Sequence, residues 1–110
     1  MNYEEFSVVS SMGGQRYNCR FYKLITAISL RHSDTVDVQF LVNGQKATVS
    51  LPHEAFAKYR ERAGRPLTDA EAVQTAGLFL KEILEKDGWE ENRLLLPSTQ
   101  QTMALAGTIH

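Results

Sequence analysis

The stretch Val36-Asp37-Val38-Gln39-Phe40-Leu41-Val42-Asn43-Gly44-Gln45-Lys46-Ala47-Thr48-Val49-Ser50-Leu51 decides the fold. Val36, Val38, Phe40 and Val42 alternate with Asp37, Gln39 and Leu41. Beyond Asn43-Gly44, the apolar Ala47, Val49 and Leu51 alternate with Lys46, Thr48 and Ser50. A period of two is the mark of a strand with one buried face. Asn-Gly favours a type I′ turn, because both residues tolerate positive φ. A two-residue loop fixes the register. Val42 then faces Gln45, Phe40 faces Ala47, Val38 faces Val49 and Val36 faces Leu51. The pairs Asp37–Ser50, Gln39–Thr48 and Leu41–Lys46 take the other face. Turn chemistry and apolar pattern agree, so a hairpin is predicted over Thr35–Leu51 with Phe40 and Val49 in the core.

Two helices are expected after the hairpin. Pro52 suits a first helical turn. Phe56, Tyr59 and Ala63 form an apolar stripe, Glu54 precedes Lys58 by four residues, and Gly64 and Pro66 end the helix. The second helix opens with Thr68 and Glu71, a T-x-x-E capping box. Ala72, Val73, Ala76, Phe79, Leu80, Ile83 and Leu84 recur at helical spacing, with Lys81, Glu82, Glu85 and Lys86 opposite. Gly88 is placed to be the C′ residue. Trp89 would then touch Leu84 in a Schellman cap.

Before the hairpin, Phe6, Val8 and Val9 read as a short strand leading to a Gly13-Gly14 turn. From Tyr17 to Leu30 two periods compete. Tyr17, Phe21, Leu24, Ile25 and Ile28 fit a helix, whereas Leu24, Thr26, Ile28 and Leu30 fit a strand that turns at His32-Ser33-Asp34 and pairs with the hairpin. The strand, with a bulge near Lys23–Ile25, is preferred for its β-branched and aromatic content. At the other end, Arg93–Leu96 reads as a short strand. Ser98 and Gln101 start a brief helix that Gly107 ends. The fold class is α+β: an antiparallel meander of three to five strands packed against two helices, in one domain over residues 1–110.

The chain has 110 residues, 43% of them hydrophobic and 23% charged, in the range of an ordinary globular protein. A net charge of -1 argues against a surface wholly given to nucleic acid. The charge is uneven, with nine Lys/Arg and six Asp/Glu in residues 1–66 (net +3) and three against seven in 67–110 (net -4). A lone cysteine, Cys19, allows no intrachain disulfide, and an intracellular, cytoplasmic setting is expected. Neither a secretory signal nor a membrane span is expected from the apolar runs present.

Few motifs carry chemistry. The histidines, His32, His53 and His110, lack a metal spacing. His53-Glu54 begins like H-E-x-x-H, but position 57 is Ala57. His32 beside Asp34 reads as a polar turn before it reads as an acid–base pair. Cys19 follows Asn18 and precedes Arg20, but a small buried thiol is the expected role. Nucleotide-binding glycine loops, a nucleophile elbow and a calcium loop are all missing from the sequence. Glu90-Glu91 reads as a solvated loop. No catalytic residue, metal or cofactor is expected.

Two segments stand out. Arg16-Tyr17-Asn18-Cys19-Arg20-Phe21-Tyr22-Lys23 interleaves cations with aromatics. On a strand, Arg16, Asn18, Arg20 and Tyr22 share one face, as a sheet that holds single-stranded nucleic acid would need. Lys58 and Arg62, four apart on the first helix, are candidates to extend that surface. Solubilising positions on exposed faces explain the same residues. The second segment is the C-terminal 94–110, which has no charged side chain but holds Leu94, Leu95, Leu96, Met103, Leu105 and Ile109. It either completes the core or covers another subunit. The leading expectation is therefore an interaction or structural module, homodimeric through those six residues or docked to another protein. The alternative is a nucleic-acid-binding module using Arg16, Arg20, Tyr22, Lys23, Lys58 and Arg62. An enzyme with a scattered site is the third reading.

Overall fold

The computed structural model describes residues 4–11, 13–27, 35–65, 67–86 and 94–108. Five strands form one sheet: β1 (Glu5–Val9), β2 (Arg16–Ala27), β3 (Thr35–Val42), β4 (Gln45–Pro52) and β5 (Leu94–Leu95), in that spatial order. Three helices pack on it: α1 (His53–Ala63), α2 (Asp69–Lys86) and α3 (Thr99–Thr108). The class is α+β, as the sequence indicates. The first four strands form the antiparallel meander. The fifth instead runs parallel to β4, pairing Leu94 with Thr48 and Leu95 with Val49.

The β3–β4 hairpin has the register that its turn dictates, from Val42↔Gln45 to Val36↔Leu51. Asn43 and Gly44 both have positive φ, 50° and 84°, as a type I′ turn requires. Asn43 does more than turn the chain. Its N–H donates to the Asn18 carbonyl (2.9 Å), and its Oδ1 accepts from the Asn18 N–H (2.8 Å), so the hairpin tip is tied to β2.

Residues 16–27 are a strand, and β2 has a bulge, but the bulge lies earlier than Lys23–Ile25. The register shifts between Phe21, which faces Phe40, and Lys23, which faces Gln39, so Tyr22 is the extra residue. The apolar pattern explains the placement. Tyr17, Cys19 and Phe21 face the helices at odd positions, and Leu24 does so at an even one. One inserted residue restores the parity.

The helices cover one face of the sheet. Phe6, Val8, Tyr17, Cys19, Val38, Phe40, Val42, Ala47, Val49, Leu51 and Leu95 meet Tyr59, the apolar side of α2, Leu105 and Ala106 in one cluster. Phe40 is fully buried at its centre, with the rings of Phe6 and Phe21 edge-on at 6.1 and 6.2 Å. The buried residues of α1 are Ala55 and Tyr59, with Phe56 partly buried. Ala63 is exposed, since the helix ends there at Gly64 (φ 75°). Thr68 and Glu71 form the expected capping box at α2: the Glu71 N–H donates to Thr68 Oγ1 (3.1 Å) and the Thr68 N–H to Glu71 Oε1 (3.0 Å). Arg65 clasps the same carboxylate at 2.7 and 3.0 Å. Ile83 is only partly buried, whereas the other six apolar positions read on α2 are buried. Gly88, Trp89 and the Schellman contact lie outside the described residues, as do the His32-Ser33-Asp34 turn, Glu90-Glu91 and Arg93.

The brief helix expected from Ser98 and Gln101 joins the other two as α3. Ser98 and Gln101 cap α3 reciprocally at 2.9 and 3.1 Å, and the helix runs through Gly107 to Thr108. It packs against α1, α2 and β4. Leu95, Pro97, Thr102, Leu105 and Ala106 are buried, so much of the uncharged segment lacks charge because it completes the core.

Candidate functional site

On the other face of the sheet no helix lies among the described residues. Alternation along each strand sets its residues, and the registers set their neighbours. Glu5, Arg20, Leu41 and Lys46 form one cross-strand row over β1 to β4. Lys23, Gln39, Thr48 and Leu94 form the next, over β2 to β5, and Ile25, Asp37 and Ser50 the one beyond. Towards the hairpin tip, Ser7 pairs with Asn18 and Val9 with Arg16. The Ser7 hydroxyl donates to Asn18 Oδ1 (2.9 Å), which fixes that amide.

A shallow depression of about 760 Å³ opens on this face, lined chiefly by Glu5, Ser7, Asn18, Arg20, Leu41 and Asn43. Tyr22 stands beside it. The bulge puts Tyr22 and Lys23 at consecutive exposed positions, and Tyr22 is 49% exposed. Its centroid is 5.5 Å from the Lys23 ammonium and 5.3 Å from that of Lys46. Since β2 and β4 are both neighbours of β3, about 10 Å apart, the ring reaches across β3 to meet Lys46. Arg16, Arg20, Lys23 and Lys46 thus share a face with Glu5 and Asp37, a net charge of +2 (four minus two). Arg16 and Arg20 make no ion pair among the described residues. Gln39 Oε1, in the middle of the face, is shielded from solvent and accepts no hydrogen bond.

The six residues of the nucleic-acid reading therefore divide. Arg16, Arg20, Tyr22 and Lys23 come together on the open face. Lys58 and Arg62 lie on α1, in the layer beyond the sheet. There they line a 390 Å³ groove with Glu61 and Met103, and Lys58 pairs with Glu54 at 3.3 Å. Lys46 takes a place that the sequence reading did not assign. The signal was present in the hairpin register, which puts Lys46 opposite Leu41. The step from Leu41 to Arg20 was hidden by the displaced bulge.

The interface candidates divide too. Leu95 and Leu105 are in the chain's own core at 3% and 9% exposure, which removes them as a surface for another subunit. Met103 is half-buried beside α1, while Leu94 and Leu96 stand exposed at 54% and 65%. Ile109 lies outside the described residues.

Cys19 sits beneath the depression, 2% exposed, and burial pushes its thiol up to about 12. A thiol held protonated is a poor nucleophile. His53 is exposed on the first turn of α1 and stacks on Phe56 at 6.1 Å. Among the described residues, no three of His, Cys, Asp and Glu gather to hold a metal ion, and no helix is long and apolar enough to cross a membrane. Comparison with known proteins finds no relative: no family model, no curated protein and no solved structure matches the chain.

Proposed function

We propose that this chain is a small binding module that works through the open face of its sheet and takes an anionic partner. The observation that carries the reading is the charge of that face: four cations against two carboxylates, with two of the cations, Arg16 and Arg20, making no ion pair among the described residues. Two copies stacked through this face would set +2 against +2, which favours an anionic occupant over a second copy. The net positive charge of the face also steers an anion towards it. The test is binding of a base-free polyanion, long-chain polyphosphate, at low ionic strength. Binding should weaken steeply with added salt and should fall in the Arg16→Ala/Arg20→Ala variant with the melting temperature unchanged. No binding at low salt would overturn the reading.

A second reading, a homodimer, is favoured by Leu94 and Leu96, two large apolar side chains standing in water at the β5 edge. A two-fold contact there would cover both from each copy at the β5 end of the open face, away from Arg16 and Arg20 on β2. Sedimentation velocity should then give a dimer that Leu94→Ser/Leu96→Ser converts to a monomer. A monomer in both proteins would remove this reading.

A further inference from the structure

We infer that the anionic partner is single-stranded nucleic acid, with a base stacked on Tyr22 and the flanking phosphates held by Lys23, Lys46, Arg20 and Arg16. The inference rests on the open face being the binding surface, and it names the occupant.

The bulge is the first ground. A tyrosine in regular register would share its row with cross-strand neighbours on both sides. At the bulge, Tyr22 is the residue with no opposite number, and the paired residues Phe21 and Lys23 fix the backbone around it. The ring is thereby presented from a rigid strand and not from a loop, at half exposure. An aromatic so placed is a stacking platform, and stacking tolerates any base because each has a π face.

The second ground is the arrangement of charge around the ring. Two ammonium groups lie within 5.5 Å of its centroid, one from the same strand and one from two strands away. Both sit on four-carbon stems that can turn from the ring to a phosphate when a base arrives. Arg16 and Arg20 continue the cationic line along β2, four residues and so roughly 13 Å apart. An acidic polypeptide would use the cations but has no need of the ring.

The third ground is the depression itself, which adjoins Arg20 and is lined by groups that match base edges and not phosphates. Glu5 accepts hydrogen bonds only, Ser7 and Asn18 both donate and accept, and Leu41 offers an apolar floor. A carboxylate repels phosphate but accepts from an exocyclic amine such as cytosine N4. The described part of this face has no helix or projecting ribbon to enter a duplex groove, so unpaired bases are what the surface fits.

The test is fluorescence anisotropy on the full chain with a labelled strand of about 12 nucleotides, within the site sizes of such surfaces. Three competitors are set beside it: an abasic strand of equal charge, the duplex of the same sequence, and poly-glutamate. The strand with bases should bind at least tenfold tighter than the abasic one. Tyr22→Leu should cost about ten- to a hundredfold and bring the two level. Tyr22→Trp should keep the affinity, which shows that a loss in the leucine variant comes from the ring and not from the fold. Each arginine removed should lower the slope of log K against log salt by about 0.7. Equal binding of strands with and without bases overturns the inference and leaves the anionic-partner reading standing. Tighter binding of the duplex or of poly-glutamate, or a Tyr22→Leu variant that binds like the native chain, also overturns it. No binding to any of the four removes both readings.

Discussion

Two faces of one strand, a single residue apart, behave as different materials. On β2, Tyr17 and Cys19 are buried at 4% and 2%, while Arg16, Asn18 and Arg20 stand exposed between them. The backbone and its hydrogen bonds are common to both sets. The difference comes from what lies above: α2 and α3 cover one face, and no described helix covers the other. Neighbouring residues thus divide between the core and the exposed face for which binding is proposed. A bulge at Tyr22 is what lets both continue along the strand. It keeps Phe21 and Leu24 under the helices and delivers two consecutive side chains, Tyr22 and Lys23, to the open face.

The sharpest way to break this comparison is to truncate one side chain on each face of β3. Phe40 has no exposure and meets two other aromatic rings. Phe40→Ala should cost roughly 3–5 kcal/mol through lost burial and a residual cavity. Its neighbour Leu41, half-buried on the open face, should cost about 1 kcal/mol or less on the same change. Urea melts of the two variants give the answer. Equal losses would mean that the faces are not distinct.

Thiol chemistry tests the same contrast on β2. Burial raises the Cys19 thiol from 9.0 to about 12. At pH 8 that lowers the thiolate fraction roughly a thousandfold, at ten per pH unit. An aromatic disulfide reagent should therefore label Cys19 slowly in the folded chain and fast in denaturant, although Asn18 and Arg20 beside it are in water. Fast labelling of the folded protein would show that the depression opens down to the core.

How much of this was legible before the structure depended on where the parity of the chain changes. The β3–β4 hairpin was readable in full because its turn and its apolar pattern are independent signals that agree. The capping boxes at Thr68–Glu71 and Ser98–Gln101 were readable because their partners lie three residues apart. On β2, Tyr17, Phe21 and Leu24 are spaced by four and three, the spacing of a helix. In fact they are a strand with one inserted residue, and a bulge imitates helical periodicity over just this length. The site suffered from the same ambiguity. Arg16, Arg20, Tyr22 and Lys23 stand out in the sequence as one cationic and aromatic run, but the row that joins Glu5 and Arg20 to Lys46 depends on three registers at once. Lys58 and Arg62 share only their charge with that run, and charge gives no layer. The uncharged tail was open between core and interface because both want the same apolar residues.

The cap of α2 offers a smaller effect, since α2 is the largest cover of the buried face. Thr68→Ala should cost about 1 kcal/mol. Glu71 adds a pH signature. Its carboxyl is held down to about 2, first by the hydrogen bond from Arg65 and then by those of Thr68. In the unfolded chain it titrates near the ordinary value of about 4.3. Its contribution is complete above that value and is lost as pH falls towards 2. Arg65 is half-exposed, so screening keeps the effect to about 1 kcal/mol. Thermal melts between about pH 6 and 2 should show a decline that Glu71→Gln flattens; an unflattened decline would assign it to other carboxylates.

The smallest effect is expected at Gln39, and its sign is informative. Gln39 lies in the central row of the open face, between Lys23 on β2 and Thr48 on β4. Its Oε1 is shielded from water yet accepts no hydrogen bond. A buried acceptor left unmade costs about 1–3 kcal/mol, whereas an apolar group of the same shape carries no such penalty. Methionine has nearly the same length and flexibility as glutamine. Gln39→Met should therefore leave stability unchanged or raise it by up to about 1 kcal/mol, because it removes an unsatisfied oxygen and keeps the volume. On the buried face a polar-to-apolar exchange at a satisfied group, such as Thr75, whose hydroxyl donates to the Glu71 carbonyl at 2.8 Å, would give no such gain. Urea melts of the two variants separate the cases. A loss of more than about 1 kcal/mol in Gln39→Met would mean that Oε1 has a partner in solution and that the centre of this face is covered.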